Sequence, residues 1–309
     1  MKFGVMTGAD LKRTALDDLI AVARRAEQAG FDSLWMANIF GLDAISTLTV
    51  LGRETTRLEL GTAVTPTYPR HPTALAQQAL TAAAASANRF VLGIGVSHKT
   101  VVEDMLGLDF TNPARHLREY LEVLRPLLRG ESVTHAGRAY RLNGVQLAVP
   151  GVQDVPVVVA ALGARMLALA GELADGTSTW MVGPKTLAAH IVPGLRAAAA
   201  AAGRPQPRVI VGLPILLTND VDTVRARLAK GLAMYGRLPS YRAMLDREGL
   251  AGPADVALLG DEATLRASLV RIAEAGATDL NASILDLGDG GYERTFEFLA
   301  SIRDGFRSS

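Results

Sequence analysis

Short apolar stretches of strand length alternate with amphipathic stretches of helix length along almost the whole chain. This alternation restricts the fold more than any other feature. Strands are expected at Lys2–Met6, Ser33–Met36, Leu58–Val64, Arg89–Gly95, Pro156–Ala160, Thr177–Val182, Arg208–Leu217 and Asp279–Leu285. Helices are expected between them. Asp43, Asp220 and Asp261 stand where N-caps are needed, and Pro72, Pro113 and Pro184 stand where first helical turns begin. Strand–helix alternation implies a parallel sheet, and eight such units closing on themselves make a barrel. The expected fold class is therefore α/β, a (β/α)8 TIM barrel with short insertions, as one domain over residues 1–309. A doubly wound open sheet with an appended domain is the alternative, but no low-complexity linker divides the chain. Two segments break the rhythm. Residues 132–147 read as a small hairpin, and residues 236–256 as irregular and partly helical.

Composition removes several function classes. The chain has no cysteine, which excludes disulfides, thiolate metal sites, iron–sulfur clusters and a thiol nucleophile. Its five histidines have no metal-ligand spacing, so no metal is expected. A formal charge of +1 argues against a nucleic-acid partner. The alanine run Ala197–Ala202 is too short for a membrane span and is flanked by Arg196 and Arg204. The opening Met1–Met6 lacks the apolar core of a signal peptide, so the cytoplasm is the expected compartment.

In a (β/α)8 barrel the chemistry sits where strands end and helices begin. That rule selects Thr7-Gly8-Ala9, Ala37-Asn38-Ile39-Phe40, Thr65-Pro66-Thr67-Tyr68, Val96-Ser97-His98-Lys99, Ala161-Leu162-Gly163-Ala164-Arg165, Trp180-Met181-Val182-Gly183 and the turn after Leu285. The turn Ala161–Arg165 opens a helix whose free N–H groups can hold a phosphate, or it is a plain tight bend. His98 can donate to a substrate or cofactor, or make a structural hydrogen bond. Trp180 and Met181 can line a flat ligand or fill the barrel mouth. Asn38 can meet a polar ring edge or close a turn. Ser240-Tyr241-Arg242 with Arg247 reads as a solvated loop, with a lid carrying an anion contact as the other reading. Gly93-Ile94-Gly95 lacks the spacing of a dinucleotide fingerprint, and neither a nucleophile elbow nor a phosphate-binding lysine loop occurs.

The segment Leu60-Gly61-Thr62-Ala63-Val64-Thr65-Pro66-Thr67-Tyr68-Pro69-Arg70-His71-Pro72 is much more specific. It leads through Ala76-Gln77-Gln78-Ala79 to Asn88-Arg89-Phe90-Val91-Leu92-Gly93-Ile94-Gly95. Together with Ala26–Trp35, Arg118–Leu124 and Leu169–Gly176, it resembles the bacterial luciferase-like superfamily of flavin and deazaflavin oxidoreductases. Ser97-His98 with Val101–Met105, and Trp180-Met181-Val182-Gly183-Pro184, resemble its coenzyme F420-dependent branch.

The resemblance implies a deazaflavin at the C-terminal mouth, backed by a bulge in the third strand with a cis peptide at Ala63–Val64. It implies a phosphate on Ala161, Leu162, Gly163, Ala164 and Arg165. It places Asn38, Ala63, Val64, Thr65, Gly95, Ser97, His98, Trp180 and Met181 around the ring, with His98 as the catalytic candidate. It also implies a homodimer acting on a small-molecule substrate.

One departure matters. Relatives that oxidise alcohols carry Asp-His after the strand-two Trp, where this chain has Asn38-Ile39. Ile39 cannot accept a proton, so a reductase is expected: hydride from deazaflavin C5 to an activated C=C or C=N bond. An FMN-dependent monooxygenase and a cofactor-binding barrel without turnover are the alternatives.

Overall fold

The computed structural model describes residues 1–8 and 15–306, so Ala9 of the first candidate turn lies outside the described residues. Eight parallel strands close into a barrel: Lys2–Thr7, Ser33–Met36, Glu59–Thr62, Phe90–Gly95, Val157–Val159, Gly176–Trp180, Arg208–Leu217 and Asp279–Ile284. The first strand pairs with both the second and the eighth, which closes the ring. Helices between successive strands cover the outside, in the expected TIM-barrel arrangement. Asp43, Asp220 and Asp261 cap their helices by accepting from the backbone N–H of Ser46, Thr223 and Thr264. Among the described residues no helix is long and apolar enough to cross a membrane.

The differences from expectation are local. The third strand stops at Thr62, and a two-residue strand, Thr65–Pro66, resumes beside the fourth. The helix expected from Pro184 to Gly203 is broken by a π turn at Leu187–Ile191. A short strand, Leu258–Gly260, pairs in parallel with the last residues of the seventh strand. The hairpin within 132–147 forms as Val133–Ala136 against Arg141–Val145. The segment around 236–256 is more ordered than its composition suggests. It forms the helices Ala233–Arg237 and Pro239–Glu248 and a 3-10 turn, Pro253–Val256. Ser240-Tyr241-Arg242 is therefore helical and not the solvated loop expected, and Arg242 is engaged by the protein instead of standing ready for an anion. Its guanidinium donates to Asp246, Ala251 O and Leu250 O, closing the end of its own helix.

The barrel interior has a charged base and an aromatic floor. At the N-terminal end Arg208 donates to Asp279 at 2.6 Å and to Glu59 at 2.7 Å, joining the seventh, eighth and third strands. Above it Trp35 is fully buried with Val91, Val158 and Ile210, and its Nε1 donates to Ser33 Oγ at 2.8 Å. A Cβ on Gly61 would overlap the Trp35 ring, and one on Gly4 would lie 3.1 Å from Trp35 Cδ1. The indole thus occupies space that side chains on the first and third strands would otherwise take. Replacing Arg208 with Met would leave Asp279, 2% exposed, as an uncompensated buried carboxylate. We expect Arg208→Met to lower the unfolding free energy in urea by about 3–5 kcal/mol, with the loss reduced when Asp279→Asn is added.

Candidate active site

The mouth begins with an extra residue. Gly61 pairs with Val91 and Thr65 with Ile94, so the third strand uses one residue more than the fourth over the same stretch. This is a β-bulge, and such bulges re-aim side chains at barrel rims. Its peptide Ala63–Val64 is cis. The ladder is repaired by a side chain: Gly93 N donates to Thr62 Oγ1 at 2.8 Å, and that hydroxyl donates to Gly93 O at 2.7 Å. Ala63 packs on the Trp35 cluster. Val64 leans over the fourth strand, since a Cβ on Gly95 would lie 2.8 Å from Val64 Cγ2 and 3.2 Å from Ala160 Cβ. Strand alternation puts Gly93 and Gly95 on the same face as the interior residue Val91. Gly212 opposes Trp180 in the same way, its Cβ position 3.0 Å from the indole. The small residues of the upper barrel thus let Val64 and the Trp180 indole pack closely against the strands above the aromatic floor.

The polar groups of this region are short of partners. Among the described residues, eight buried side-chain polar atoms make no hydrogen bond. Five of them lie toward the C-terminal end of the barrel: Thr7 Oγ1, Thr65 Oγ1, Tyr68 OH, Trp180 Nε1 and Asn281 Oδ1. Native interiors leave few such groups, and a cluster of them marks a place where another molecule supplies the partner. Asn281 sits between Gly4 and Gly212 on the flanking strands, with the Trp35 and Trp180 indoles packed over those glycines. A ring with carbonyl and N–H edges fits this donor and acceptor set.

The strand ends place the other expected residues around the same mouth. Ser97 and Met181 end the fourth and sixth strands with positive φ, 61° and 56°, a left-handed conformation that costs a non-glycine residue about 1–3 kcal/mol. Asn38 closes a turn, its Oδ1 accepting from Ala44 N at 3.0 Å. Ala161 is buried and Leu162 half-buried, with Leu162 O held by His190 Nε2 at 2.8 Å. Gly163, Ala164 and Arg165 are exposed at the start of helix Ala164–Leu173. No side chain caps that helix, so its first N–H groups are free to meet an anion.

His98 is half-buried and leads into the π turn Thr100–Met105. It lies edge-on to Tyr241 and Tyr235, with ring centroids 5.8 and 6.3 Å away. Burial lowers its pKa below the usual histidine value, so the imidazole is neutral near pH 7.

Both tyrosines belong to the segment after the seventh strand, which Glu248 fastens down. The buried Glu248 carboxylate accepts from Lys185 N at 3.1 Å and from Thr186 N at 2.7 Å, and Thr186 Oγ1 donates to Met244 O. Sequence reading did not single out Asn281, Glu248 or Tyr235. Asn281 had a readable signal, because Asp279, Asn281 and Ser283 put polar residues on alternate positions of one strand face.

Below Thr65 a second aromatic group supports the rim. Tyr68 stacks on His116 with centroids 3.9 Å apart, and Thr67 Oγ1 lies 2.9 Å from His116 Nε2. Burial pushes the Tyr68 phenol up to about 12 and His116 down to about 4. The unfolded chain therefore binds a proton that folded His116 refuses. Stability should be fully present above about pH 6.5 and decline on acidification until about pH 4. Urea denaturation across that range should show the decline, and His116→Asn should flatten it.

Residues 1–279 match the model of the luciferase-like monooxygenase family. A protein of Mycobacterium tuberculosis named as a coenzyme F420-dependent oxidoreductase is 33% identical over 68% of this chain, and the match spans 65% of that relative's length. The 5,10-methylenetetrahydromethanopterin reductase of Methanolobus tindarius is 32% identical over 76% of this chain and 72% of its own. The structure of the coenzyme F420-dependent tetrahydromethanopterin reductase of Methanopyrus kandleri superposes with a TM-score of 0.84 at 22% identity, covering 99% of both chains. The chain belongs to the luciferase-like monooxygenase family, on the side that includes coenzyme F420-dependent oxidoreductases.

Proposed function

We propose that this protein is a coenzyme F420-dependent reductase of an activated C=C or C=N bond in a small organic molecule. The observation that carries the reading is the cluster of unpartnered buried polar atoms at the barrel mouth. Bound in its reduced form, the deazaflavin supplies a hydride from C5, and the acceptor needs one proton besides. Val64 and the Gly93–Gly95 strand form the shelf that backs the ring. Thr65, Trp180 and Asn281 supply hydrogen bonds to its polar edges. The free N–H groups at Gly163–Arg165 hold the phosphate. Asn38, Ser97 and Met181 shape the turns around the ring.

The direction of reaction follows from what the chain lacks. Alcohol oxidation needs a base at the hydroxyl. Ile39 offers none, and Asn38 Oδ1 is already engaged by Ala44 N. Reduction asks less of the protein. His98, neutral at the working pH, can polarise the acceptor by donating its N–H or can orient the water that delivers the proton. Dimerisation and a cytoplasmic setting complete the proposal.

Titration with coenzyme F420 and with FMN, followed at about 420 and 450 nm, tests the cofactor. F420 should bind and FMN should not. Tight FMN binding without F420 binding would replace this reading with a flavin monooxygenase. Asn281→Leu should weaken F420 binding about tenfold, the loss expected for one buried hydrogen-bond partner. His98→Ala should lower single-turnover reduction about 100-fold or more with F420 affinity within threefold, and an unchanged rate across pH would remove His98 from the chemistry.

A further inference from the structure

The segment after the seventh strand crosses the mouth. In the closed strand order the fourth and seventh strands are separated by two others. Yet Tyr235 and Tyr241, which follow the seventh, reach His98 at the end of the fourth. Glu248 fixes the far end of the same segment to the turn after the sixth strand. One side of the mouth is thus roofed by the two helices Ala233–Arg237 and Pro239–Glu248. The remaining side is bordered by the loop after the second strand.

Exposed apolar residues gather on these borders. Among the described residues nine large hydrophobic side chains are exposed, and seven stand on the loops after the second and fourth strands or on the roof. Phe40 is 61% exposed, Met105 60% and Met234 52%; Leu42, Leu106 and Leu108 accompany them. Isolated exposed apolar residues are ordinary, but concentration on the loops at one end of a barrel marks a binding surface.

Among the described residues, the side chains facing His98 carry no charge: both are neutral phenols. The adjacent Lys99 ammonium is 72% exposed and directed to Glu103 at 3.5 Å. Arg242 is spent inside its own helix end.

We infer that the acceptor is an uncharged, largely apolar molecule that extends beyond the mouth and lies between the loop of Phe40 and the roof carrying Met234. The inference rests on the proposed reductase reading and names its substrate class. Beside His98 an anionic acceptor would lose its hydration with no cationic side chain facing it among the described residues, whereas an alkyl or polycyclic body would cover the exposed apolar rim.

The test uses the full chain with reduced F420 and a series of cyclohexenones. One arm lengthens an alkyl substituent, and another ends the same chain in a carboxylate. Each added methylene should raise kcat/KM about threefold until the rim is covered, and the carboxylate should lower it at least tenfold. Binding of the saturated ketones to cofactor-free protein, read by tryptophan fluorescence, should follow the same order. Phe40→Glu and Met234→Glu should each abolish the chain-length dependence while leaving the F420 titration within twofold.

A chain-length dependence that is flat in the wild type, with F420 bound, would overturn this inference alone. Failure of F420 to bind would overturn the reductase reading and this inference with it. Light scattering decides the competing occupant. If Phe40→Glu turns a dimer into a monomer and keeps the chain-length dependence, the rim is the contact between two copies and not the substrate surface.

Discussion

The mouth depends on what Arg208 does at the opposite end of the barrel. Its guanidinium bridges Glu59 on the third strand and Asp279 on the eighth, and lies 5.8 Å from the Trp35 ring centroid on the second. Four strands far apart in sequence are thereby tied across the barrel interior. A buried ion cluster of this kind is a weak source of net stability, because desolvation offsets most of the attraction. What it sets is position. With the base held, Trp35 is supported from below and fills the middle of the barrel. The layers above it no longer need bulky side chains to close the core. Gly93, Gly95 and Gly212 can then let Val64 and Trp180 pack close to the strands at the mouth.

The bulge in the third strand turns this close packing into a shelf. Inserting one residue would ordinarily orphan ladder groups on the fourth strand. Thr62 prevents that by bonding both the N–H and the carbonyl of Gly93 through one hydroxyl. The same residue that repairs the ladder lets Ala63 and Val64 depart from it. Val64 then lies against Gly93 and Gly95, where a side chain on either glycine would collide with it or with Thr62. A small-to-large substitution on the fourth strand therefore disturbs the bulge and the ligand space together.

Most of this arrangement can be read from the chain before folding. All eight barrel strands follow from apolar stretches bounded by glycine, proline and capping aspartates. The strand-end rule then selects Thr65, Ser97, His98, Trp180 and Met181, because barrel topology alone puts them on one rim. What escapes is whatever depends on long-range contact. Leu258–Gly260 is three residues long and becomes a strand only by pairing with the tail of the seventh. The order of Ala233–Glu248 comes from Glu248 reaching the N–H groups of Lys185 and Thr186, more than sixty positions earlier. Local composition holds no trace of that bond, which is why Ser240-Tyr241-Arg242 reads as a solvated loop. Asn281 is a different case. Its polarity on an interior strand face is visible, but its meaning appears only when Gly4 and Gly212 are found beside it.

The chemistry assigned to the site follows from a division between what the chain holds and what it lacks. It holds a shelf, unpartnered hydrogen-bonding atoms and a helix start suited to an anion. It has no cysteine and no base at Ile39. The His98 imidazole at the rim is kept uncharged by burial against two tyrosines. A neutral imidazole is a poor acid, so a reaction that depended on full proton transfer to a leaving group would run slowly here. Hydride addition to a polarised double bond makes a smaller demand, since charge builds gradually and one N–H or an oriented water can meet it. In the proposed reading, the same desolvation that keeps His98 neutral would disfavour a charged acceptor beside it. Reactivity borrowed from a cofactor and preference for an apolar partner would both follow, on that reading, from one property, the burial of His98 beneath the roofed side of the mouth.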